Sequence, residues 1–416
     1  MSSVEPPSAR SVPVPDTPST VTPPRAQPLA ARAIGLPTVL FQALGTIAPA
    51  YGLAAGLAFT VSLAGEAAPL VFLLTVFVVL AIAINVGQLA KVFPSAGGFY
   101  TYISRILGPR TGFLSSWVFL LWLPPSIAIA ISYIAFAFVS PELTYHYGAS
   151  VPWQAVAAVI CALVILAGYF GIRGAGRVLI ITGSLEILVM IAIGLSGFVS
   201  PGSGGVNFGP FNPGNAPSFQ GIYLGVVFTI FTYSGWETAT PLAEESRQPR
   251  RNVQVALVLS VIIVGLMYLI ASWGTIVGLG TTDTAKIATL TQNPFFVLVN
   301  KLWGPAWIVL LLALLNSGFA TGLGGFNGAT RIWYAMGRSG SLPRQLAVIH
   351  PKYRTPINAV RLQIIVVAGT FVVAWIWRPD NVLFCVGAGV HARADPCLHG
   401  NRRSCSQVLP VWRWAP

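Results

Sequence analysis

The chain has 416 residues, of which 55% are hydrophobic and only 8% are charged, whereas an ordinary soluble protein has roughly 25% charged residues. This composition excludes an ordinary soluble protein and predicts an integral membrane protein. The formal net charge of +13 would suggest a nucleic-acid partner in a soluble chain, but here the basic residues lie in short segments between apolar runs. There they are typical of membrane topology signals, and no nucleic-acid partner is expected.

The first 31 residues are rich in Pro, Ser, Thr and Ala and contain no apolar run. Such a segment cannot bury enough apolar surface to offset the entropy cost of ordering. We therefore expect residues 1–33 to form a disordered cytoplasmic N-terminal tail. The segment also lacks the basic, then apolar, pattern of a secretory signal, so the first membrane span is expected to be retained.

Nine apolar stretches are long enough to cross a bilayer, for which a helix needs about 20 residues. In chain order, as spans 1 to 9, they lie roughly at 35–62, 68–91, 112–139, 152–171, 178–199, 221–243, 253–277, 303–330 and 357–377. A tenth stretch begins at Asn381 and fails near Val390. The predicted transmembrane domain therefore covers residues 34–390, with about nine complete spans and a partial tenth.

The distribution of basic residues predicts the orientation of these spans. If the N-terminus is cytoplasmic, the opposite face holds only Lys286, Lys301 and Arg378 among the basic residues of the loops. The rest fall on the cytoplasmic side, as the positive-inside rule requires. We expect a multi-pass protein of the cytoplasmic membrane with its N-terminus inside.

Spans 1 and 6 carry residues that interrupt a helix. Span 1 contains GTIAPAYG at residues 45–52, and span 6 contains TYSGWE at residues 232–237. Pro49 removes a backbone donor, and a Gly such as Gly235 lowers helix propensity by about 1 kcal/mol relative to Ala. Broken backbone at membrane depth is tolerated where it is buried in protein or lines a cavity. For either site taken alone, close helix packing is an alternative explanation.

Breaks in the first and sixth spans are what an inverted repeat of five plus five helices places at corresponding positions. The freed N–H groups and positive half-helix ends can then receive an anionic group, and the freed carbonyls a cationic group. An amino acid zwitterion carries both charges at short range. We predict an all-α integral membrane protein, a 5+5 inverted-repeat helix bundle with broken helices 1 and 6, apparently truncated in helix 10.

Four stretches resemble the amino acid-polyamine-organocation (APC) superfamily of permeases, which have the leucine-transporter-type fold. They are the first-span break, GQLAKVFPSAGGFYTYISRILGPRTGF at 87–113, FTYSGWETATPLAEESRQPRRN at 231–252 and GATRIWYAMGRSGSLPRQLAVIHPKYRTP at 328–356. The resemblance implies a secondary active transporter that moves an amino acid across the cytoplasmic membrane by alternating access, with proton coupling or exchange and no enzymatic chemistry. A polyamine or organic-cation carrier and a truncated, nontransporting permease remnant stay open as alternatives.

The resemblance also implies roles for individual residues. The substrate carboxylate would bind backbone N–H groups in the first-span turn, at Gly45, Thr46, Ile47, Ala48 and Ala50. The carbonyls of Tyr233, Ser234 and Gly235 would receive the amino group. Phe231 would be an aromatic gate above the substrate, and Glu237 matches a carboxylate of the inner gate. Pro49 departs from the purely small-residue turn of several relatives.

Two acids inside the spans are candidates for proton coupling. A carboxylate in a span costs about 2.5 to 3.5 kcal/mol on insertion scales, so Glu237 should face the bundle interior. Because burial disfavours the charged form, a proton-linked role is physically possible for Glu237 and for Glu186 in span 5. The alternatives are structural: Glu237 would cap the freed amides of the break, and Glu186 would form an interhelical hydrogen bond.

Superfamily members that use sodium bind it between spans 1 and 8. Ser317 and Thr321 lie one helical turn apart in span 8 and are the candidate ligands, although such hydroxyls also bond backbone carbonyls in membrane helices. The expected partners are thus an amino acid or amine substrate, a proton or a sodium ion as the coupling ion, and membrane lipid.

After Val390 the apolar pattern gives way to HARADPCLHGNRRSCSQVLPVWRWAP. We expect residues 391–416 to be an atypical tail, frameshifted or otherwise foreign, so that the second repeat would lack a complete fifth helix. This region holds most of a possible metal cluster: Cys385, His391, Cys397, His399 and Cys405. Their spacing matches no standard zinc pattern, and we predict no metal and no other cofactor.

Overall fold

The computed structural model describes residues 32–148, 150–170, 172–280 and 293–377, together with Leu29 and Pro379. Nearly all of the expected N-terminal tail, the partial tenth span and the whole 391–416 segment lie outside these residues, as do Lys286, Arg378 and the Cys and His residues of the suggested metal cluster. Within the described part the secondary structure is helical, and β-pairing is limited to two isolated bridges. The prediction of an all-α fold is confirmed.

Each of the nine predicted spans corresponds to a helix or to a pair of half-helices. The unbroken spans are Ala68–Val92 (span 2), Trp153–Phe170 (span 4), Ile172–Val199 (span 5), Pro249–Leu279 (span 7), Ile308–Ser339 (span 8) and Ile357–Trp377 (span 9). Span 3 runs through Pro109–Ile134, a π-helical turn at Ala135–Val139 and Ser140–Tyr147. Two shorter helices, Phe99–Ile106 and Pro294–Trp303, lie between spans.

By length and apolar composition, seven helical segments of the described chain qualify as candidate membrane spans. One of them, Leu36–Val92, contains both span 1 and span 2. Span 6 is divided into pieces too short to qualify. The seven segments are therefore compatible with the nine predicted spans, and the chain is a multi-pass membrane protein.

The helix of span 1 is broken at Ala48. Half-helix 1a is Leu36–Ile47, half-helix 1b is Pro49–Ala64, and Ala48 between them has the left-handed angles φ 55° and ψ 69°. Pro49 occupies the first position of half-helix 1b, where its missing N–H breaks no helical hydrogen bond and its fixed φ suits the start of a helix. The residue that changes the chain direction is therefore Ala48, one position before the proline that motivated the prediction.

Span 6 is broken at Ser234 and Gly235. Half-helix 6a, Phe219–Thr229, continues into a 3₁₀ turn at Ile230–Tyr233, and half-helix 6b, Trp236–Glu245, is itself a 3₁₀ helix. Gly235 has φ 119°, a conformation that side chains of L-residues rarely adopt. The glycine seen in the sequence is thus the residue that permits the turn.

The long spans enclose the two broken ones. Span 7 packs along spans 2 and 5, while span 8 packs against spans 3, 4 and 5, and half-helix 1a contacts spans 5, 7 and 8. Spans 5 and 7 approach each other closely because glycines face backbone at their crossing: a Cβ on Gly194 would lie 2.6 Å from the carbonyl oxygen of Ile270. Such small-residue contacts are a main means of helix association in membranes.

Gly194→Ala should destabilise the bundle, because its Cβ would also lie 2.7 Å from the Cα of Ala271 and the backbones of spans 5 and 7 would have to separate. Overpacking of this kind costs about 1–3 kcal/mol. The measurement is the melting temperature of the purified protein in detergent. Gly369→Ala in span 9 is the matched control, because nothing lies within 4 Å of its added Cβ. Equal melting temperatures for the two variants would contradict the proposed close contact.

Candidate functional site

The breaks of spans 1 and 6 lie directly against each other. A Cβ on Gly235 would lie 2.6 Å from the carbonyl carbon of Thr46 and 2.8 Å from the nitrogen of Ile47. The Thr238 hydroxyl donates to the Thr46 hydroxyl at 2.8 Å, and the Thr321 hydroxyl donates to the Thr46 carbonyl at 2.9 Å. Spans 1, 6 and 8 therefore meet at Thr46.

The start of half-helix 1b is hydrogen-bonded to side chains of two other spans. The Ala50 N–H donates to Oε1 of Glu186 at 2.8 Å, and the Tyr51 N–H donates to the Ser317 hydroxyl at 3.1 Å. Glu186 is 2% exposed and receives two further bonds, from the Ser317 hydroxyl at 2.6 Å and from Nδ2 of Asn316 at 2.5 Å. Glu186 thus joins span 5 to both span 1 and span 8.

At the start of half-helix 6b, a side-chain carboxylate also accepts a hydrogen bond from a backbone amide that the break leaves free. Oε2 of Glu237 accepts from the Gly235 N–H at 2.9 Å. The Gly235 carbonyl accepts from the Thr238 N–H at 3.1 Å, and the Thr232 carbonyl accepts from the Tyr268 hydroxyl at 2.8 Å. Several polar groups freed by the break are therefore bonded within the protein.

The substrate-binding residues predicted in span 1 lie on both sides of the break at Ala48. Gly45, Thr46 and Ile47 form the last turn of half-helix 1a, and the Ala48 N–H donates to the Gly45 carbonyl at 3.1 Å. Of the five predicted amide donors, only Ala50 lies after the break. Ser317 and Thr321 both face span 1, through the bonds to Tyr51 and Thr46.

The aromatic residues of the site differ in exposure. Phe231 is 52% exposed, whereas Tyr233 is fully buried and packs edge-to-face on Tyr268 with ring centroids 4.9 Å apart. The Tyr233 hydroxyl has no hydrogen-bond partner among the residues that the structure describes. Near the first break, Tyr51 packs edge-to-face on Tyr133 and Phe138, with centroids 6.2 and 6.4 Å apart.

One end of the bundle is closed by a buried ion pair. Nε of Arg331 lies 2.8 Å from Oε1 of Glu245, and each residue is 2% exposed. The segment before half-helix 1a is attached at the same place, because the Ile34 N–H donates to the Glu245 carbonyl and the Arg247 N–H donates to the Ile34 carbonyl, at 3.1 and 2.9 Å. Spans 1, 6 and 8 are thus held together at this end as well as at Thr46.

Sequence reasoning missed this ion pair. Span 8 was predicted to end at residue 330, so Arg331 was assigned to a loop, whereas the helix continues to Ser339. Apolar residues recur in RIWYAMG after Arg331, and this periodicity would have extended the helix through the arginine. A basic residue inside a buried helix requires an acidic partner, although the sequence does not identify that partner as Glu245.

Comparisons with known proteins agree with this architecture. The chain matches the family described as "Amino acid permease" over residues 38–390. In fold it is similar to a Na⁺-coupled sialic acid symporter solved in a substrate-bound outward-open state, with a TM-score of 0.54, 15% sequence identity and 83% of each chain covered. At that identity the likeness shows the fold alone, which is of the leucine-transporter type.

The similar curated proteins are named for different transported substrates. The chain is 25% identical to the human cystine/glutamate transporter over 282 residues, 67% of this chain but only 55% of that protein. It is 25% identical to the low-affinity putrescine importer PlaP of Escherichia coli K12, with 69% and 63% of the two chains covered. It is 27% identical to the human large neutral amino acids transporter small subunit 2, with 70% and 55% covered. The chain thus spans little more than half the length of several of these relatives.

The likeness to each relative is low, but the family match covers most of the sequence. It includes both broken spans, the carboxylates at the breaks and the buried ion pair. The predicted resemblance is therefore confirmed: the chain belongs to the amino acid permease family of the APC superfamily, whose members are membrane transporters for amino acids or amines.

Proposed function

We propose that the chain is a secondary active transporter of the cytoplasmic membrane that carries a small amine-bearing solute, an amino acid or an organic amine, by alternating access. The observation that carries this proposal is the contact of the two helix breaks, with Gly235 against Thr46 and Ile47. Backbone groups freed inside an apolar bundle are the means by which transporters of this architecture bind polar solutes. Relatives named for amino acids and for putrescine support the same class of solute.

The proposed site uses the residues at the breaks. The ammonium group of the solute would lie at the span 6 break, among the carbonyls of Tyr233, Ser234 and Gly235. Phe231 lies in the turn just before that break, and its half-exposed ring would close over the solute. This arrangement places the solute between spans 1, 6 and 8, whose relative movement then opens the site to one side or the other.

Proton coupling, or exchange of one solute for another, would drive the cycle. Glu186 and Glu237 are the proton candidates, because each is a carboxyl group bonded to a freed amide at a break, where binding and movement both act. Sodium is the alternative ion: Ser317 and Thr321 place hydroxyl oxygens between spans 1 and 8. Hard cations prefer such oxygen ligands.

Alternating access requires the end of the bundle that contains the Arg331–Glu245 ion pair to open. With the N-terminus in the cytoplasm, as the basic residues favour, the Arg331–Glu245 pair lies at the cytoplasmic end of the bundle. The described conformation is then closed to the cytoplasm. Separation of this ion pair would be the step that releases the solute inside.

The direct test is uptake and binding of labelled amino acids and amines by the purified full chain in proteoliposomes. A pH gradient and a sodium gradient are imposed separately, and exchange is measured with solute loaded inside. Accumulation driven by one of these three conditions is the expected result. If no member of the panel binds, accumulates or exchanges, the proposed function is wrong.

Gly235→Ala should abolish uptake, because the added Cβ would push the span 6 break away from the backbone of Thr46 and strain a residue at φ 119°. Gly340→Ala is the matched control, since Gly340 also has a positive φ, 81°, but nothing lies within 4 Å of its added Cβ. Initial uptake rates are compared at equal amounts of reconstituted protein. Equal losses in both variants would show that backbone strain, and not contact between the breaks, limits transport.

Glu245→Gln should open the closed end, because Arg331 would be left buried without an ionised partner. Breaking a buried pair costs about 3–5 kcal/mol, so the ratio of closed to open protein should fall by about 100-fold or more. The measurement is the rate of hydrogen–deuterium exchange of the backbone amides in half-helix 1a, which needs no substitution at the break. Glu244→Gln, which breaks the more exposed Arg338–Glu244 pair, should leave that rate unchanged. A rate unaffected by Glu245→Gln would exclude the pair as the gate.

A further inference from the structure

The backbone N–H groups at the start of half-helix 1b already donate to acceptors of the chain, so they are not free to bind the carboxylate of a solute. Pro49 has no N–H, the Ala50 N–H donates to Glu186, and the Tyr51 N–H donates to Ser317. The Gly52 N–H returns to the Ala48 carbonyl at 2.8 Å. This is the positive end of a half-helix, where an anionic group of a solute would otherwise bind. In this chain the anionic group bound there is the side chain of Glu186.

Hydrogen bonds from spans 1 and 8 hold the carboxyl group of Glu186 in one position. Three donors converge on its two oxygens, from Ala50, Asn316 and Ser317, at 2.5 to 2.8 Å. Donors alone, with no acceptor opposite, suit an ionised carboxylate. A solute carboxylate entering this position would have to displace a side chain held by two other spans, and it would meet a like charge.

The second break repeats the arrangement. Oε2 of Glu237 accepts a hydrogen bond from the Gly235 N–H at the start of half-helix 6b. The ion pairs found among the described residues involve Glu142, Glu244 and Glu245, and none of them involves Glu186 or Glu237. Glu186 is buried and Glu237 is partly buried, and carboxylates inside a bundle without a basic partner favour a cation beside the breaks.

Around the two breaks the chain therefore supplies carboxyl groups, while the Ala50 amide that would bind a solute carboxylate is occupied.

We propose that Glu186 occupies the position of a substrate carboxylate, so that the site selects an organic cation without an α-carboxylate, such as an alkylamine or a diamine, over the corresponding amino acid. This inference rests on the proposed function and narrows its substrate class. Glu186 is then a residue that determines specificity: its charge pairs with the bound cation, and its contact with Ala50 excludes the carboxylate.

The test compares solutes that differ only by the carboxylate. The pairs are putrescine with ornithine, cadaverine with lysine, agmatine with arginine, and isoamylamine with leucine. Binding to the purified full chain is measured by competition and by thermal stabilisation. In at least one pair the amine should bind about 10- to 100-fold more tightly than its amino acid, the range expected for a hydrogen-bonded charge contact.

Two substitutions separate the charge of Glu186 from its occupation of the amide. Glu186→Gln keeps a side-chain oxygen for Ala50 but removes the charge, so amine binding should weaken by about 10-fold or more while amino acids gain little. Glu186→Ser shortens the side chain and frees the Ala50 N–H, so the preference should shift toward the amino acid of each pair. Glu142→Gln is the matched control, because Glu142 is equally buried but lies near the far end of span 3.

The outcomes separate the two proposals. If amino acids bind the wild type at least as tightly as their amines in every pair, the inference about Glu186 is wrong while the transport proposal stands. If the wild type prefers amines but Glu186→Gln binds them as the wild type does, the assignment to Glu186 is also wrong. If neither member of any pair binds or stabilises the wild type, the proposed function itself fails. The wild-type comparison needs no variant, so poor folding of Glu186→Ser leaves the inference testable.

Discussion

The architecture depends on the backbone contact between the two helix breaks. Gly235 can approach Thr46 and Ile47 to within van der Waals distance only because it has no side chain, and it can turn the chain only because it tolerates φ 119°. With that contact in place, the hydroxyls of Thr238 and Thr321 reach Thr46 from spans 6 and 8. A side chain at 235 would remove both the turn and the approach, so one residue fixes the geometry of three spans.

The helix breaks leave backbone N–H and C=O groups without helical partners, and the rest of the bundle must hydrogen-bond them. A membrane offers no water to an unpaired amide, so each freed N–H needs an acceptor within the protein. The chain supplies Glu186 for the first break and Glu237 for the second. Both acceptors are carboxylates, which suit the positive ends of half-helices. Neither Glu186 nor Glu237 has a basic partner among the residues that the structure describes, so these hydrogen bonds are what holds both carboxyl groups in place.

The sequence predicts what depends on local composition and fails where tertiary contacts decide. Hydropathy predicts stretches that coincide with long helices of the described chain. Pro49 and Gly235 locate the breaks to within one residue, because each acts on its own backbone. The partner of the Ala50 amide is 136 residues away in the chain, and nothing in the local pattern at Glu186 identifies it. The partner of Arg331 was likewise hidden, because the predicted end of span 8 placed this arginine outside the helix.

The break and the closed end are joined by a continuous series of hydrogen bonds. The Thr46 hydroxyl donates to the Gln42 carbonyl at 2.7 Å, and Nδ2 of Asn327 donates to Oε1 of Gln42 at 3.3 Å. Asn327 in turn accepts from the Arg331 guanidinium at 3.1 Å, and Arg331 pairs with Glu245. Because each of these groups is buried, moving one without its neighbour would leave an unpaired polar atom, which costs about 1–3 kcal/mol. In the proposed transport cycle, separation of the ion pair would therefore disturb the break, and a solute that moved the break would act on the ion pair through the same atoms.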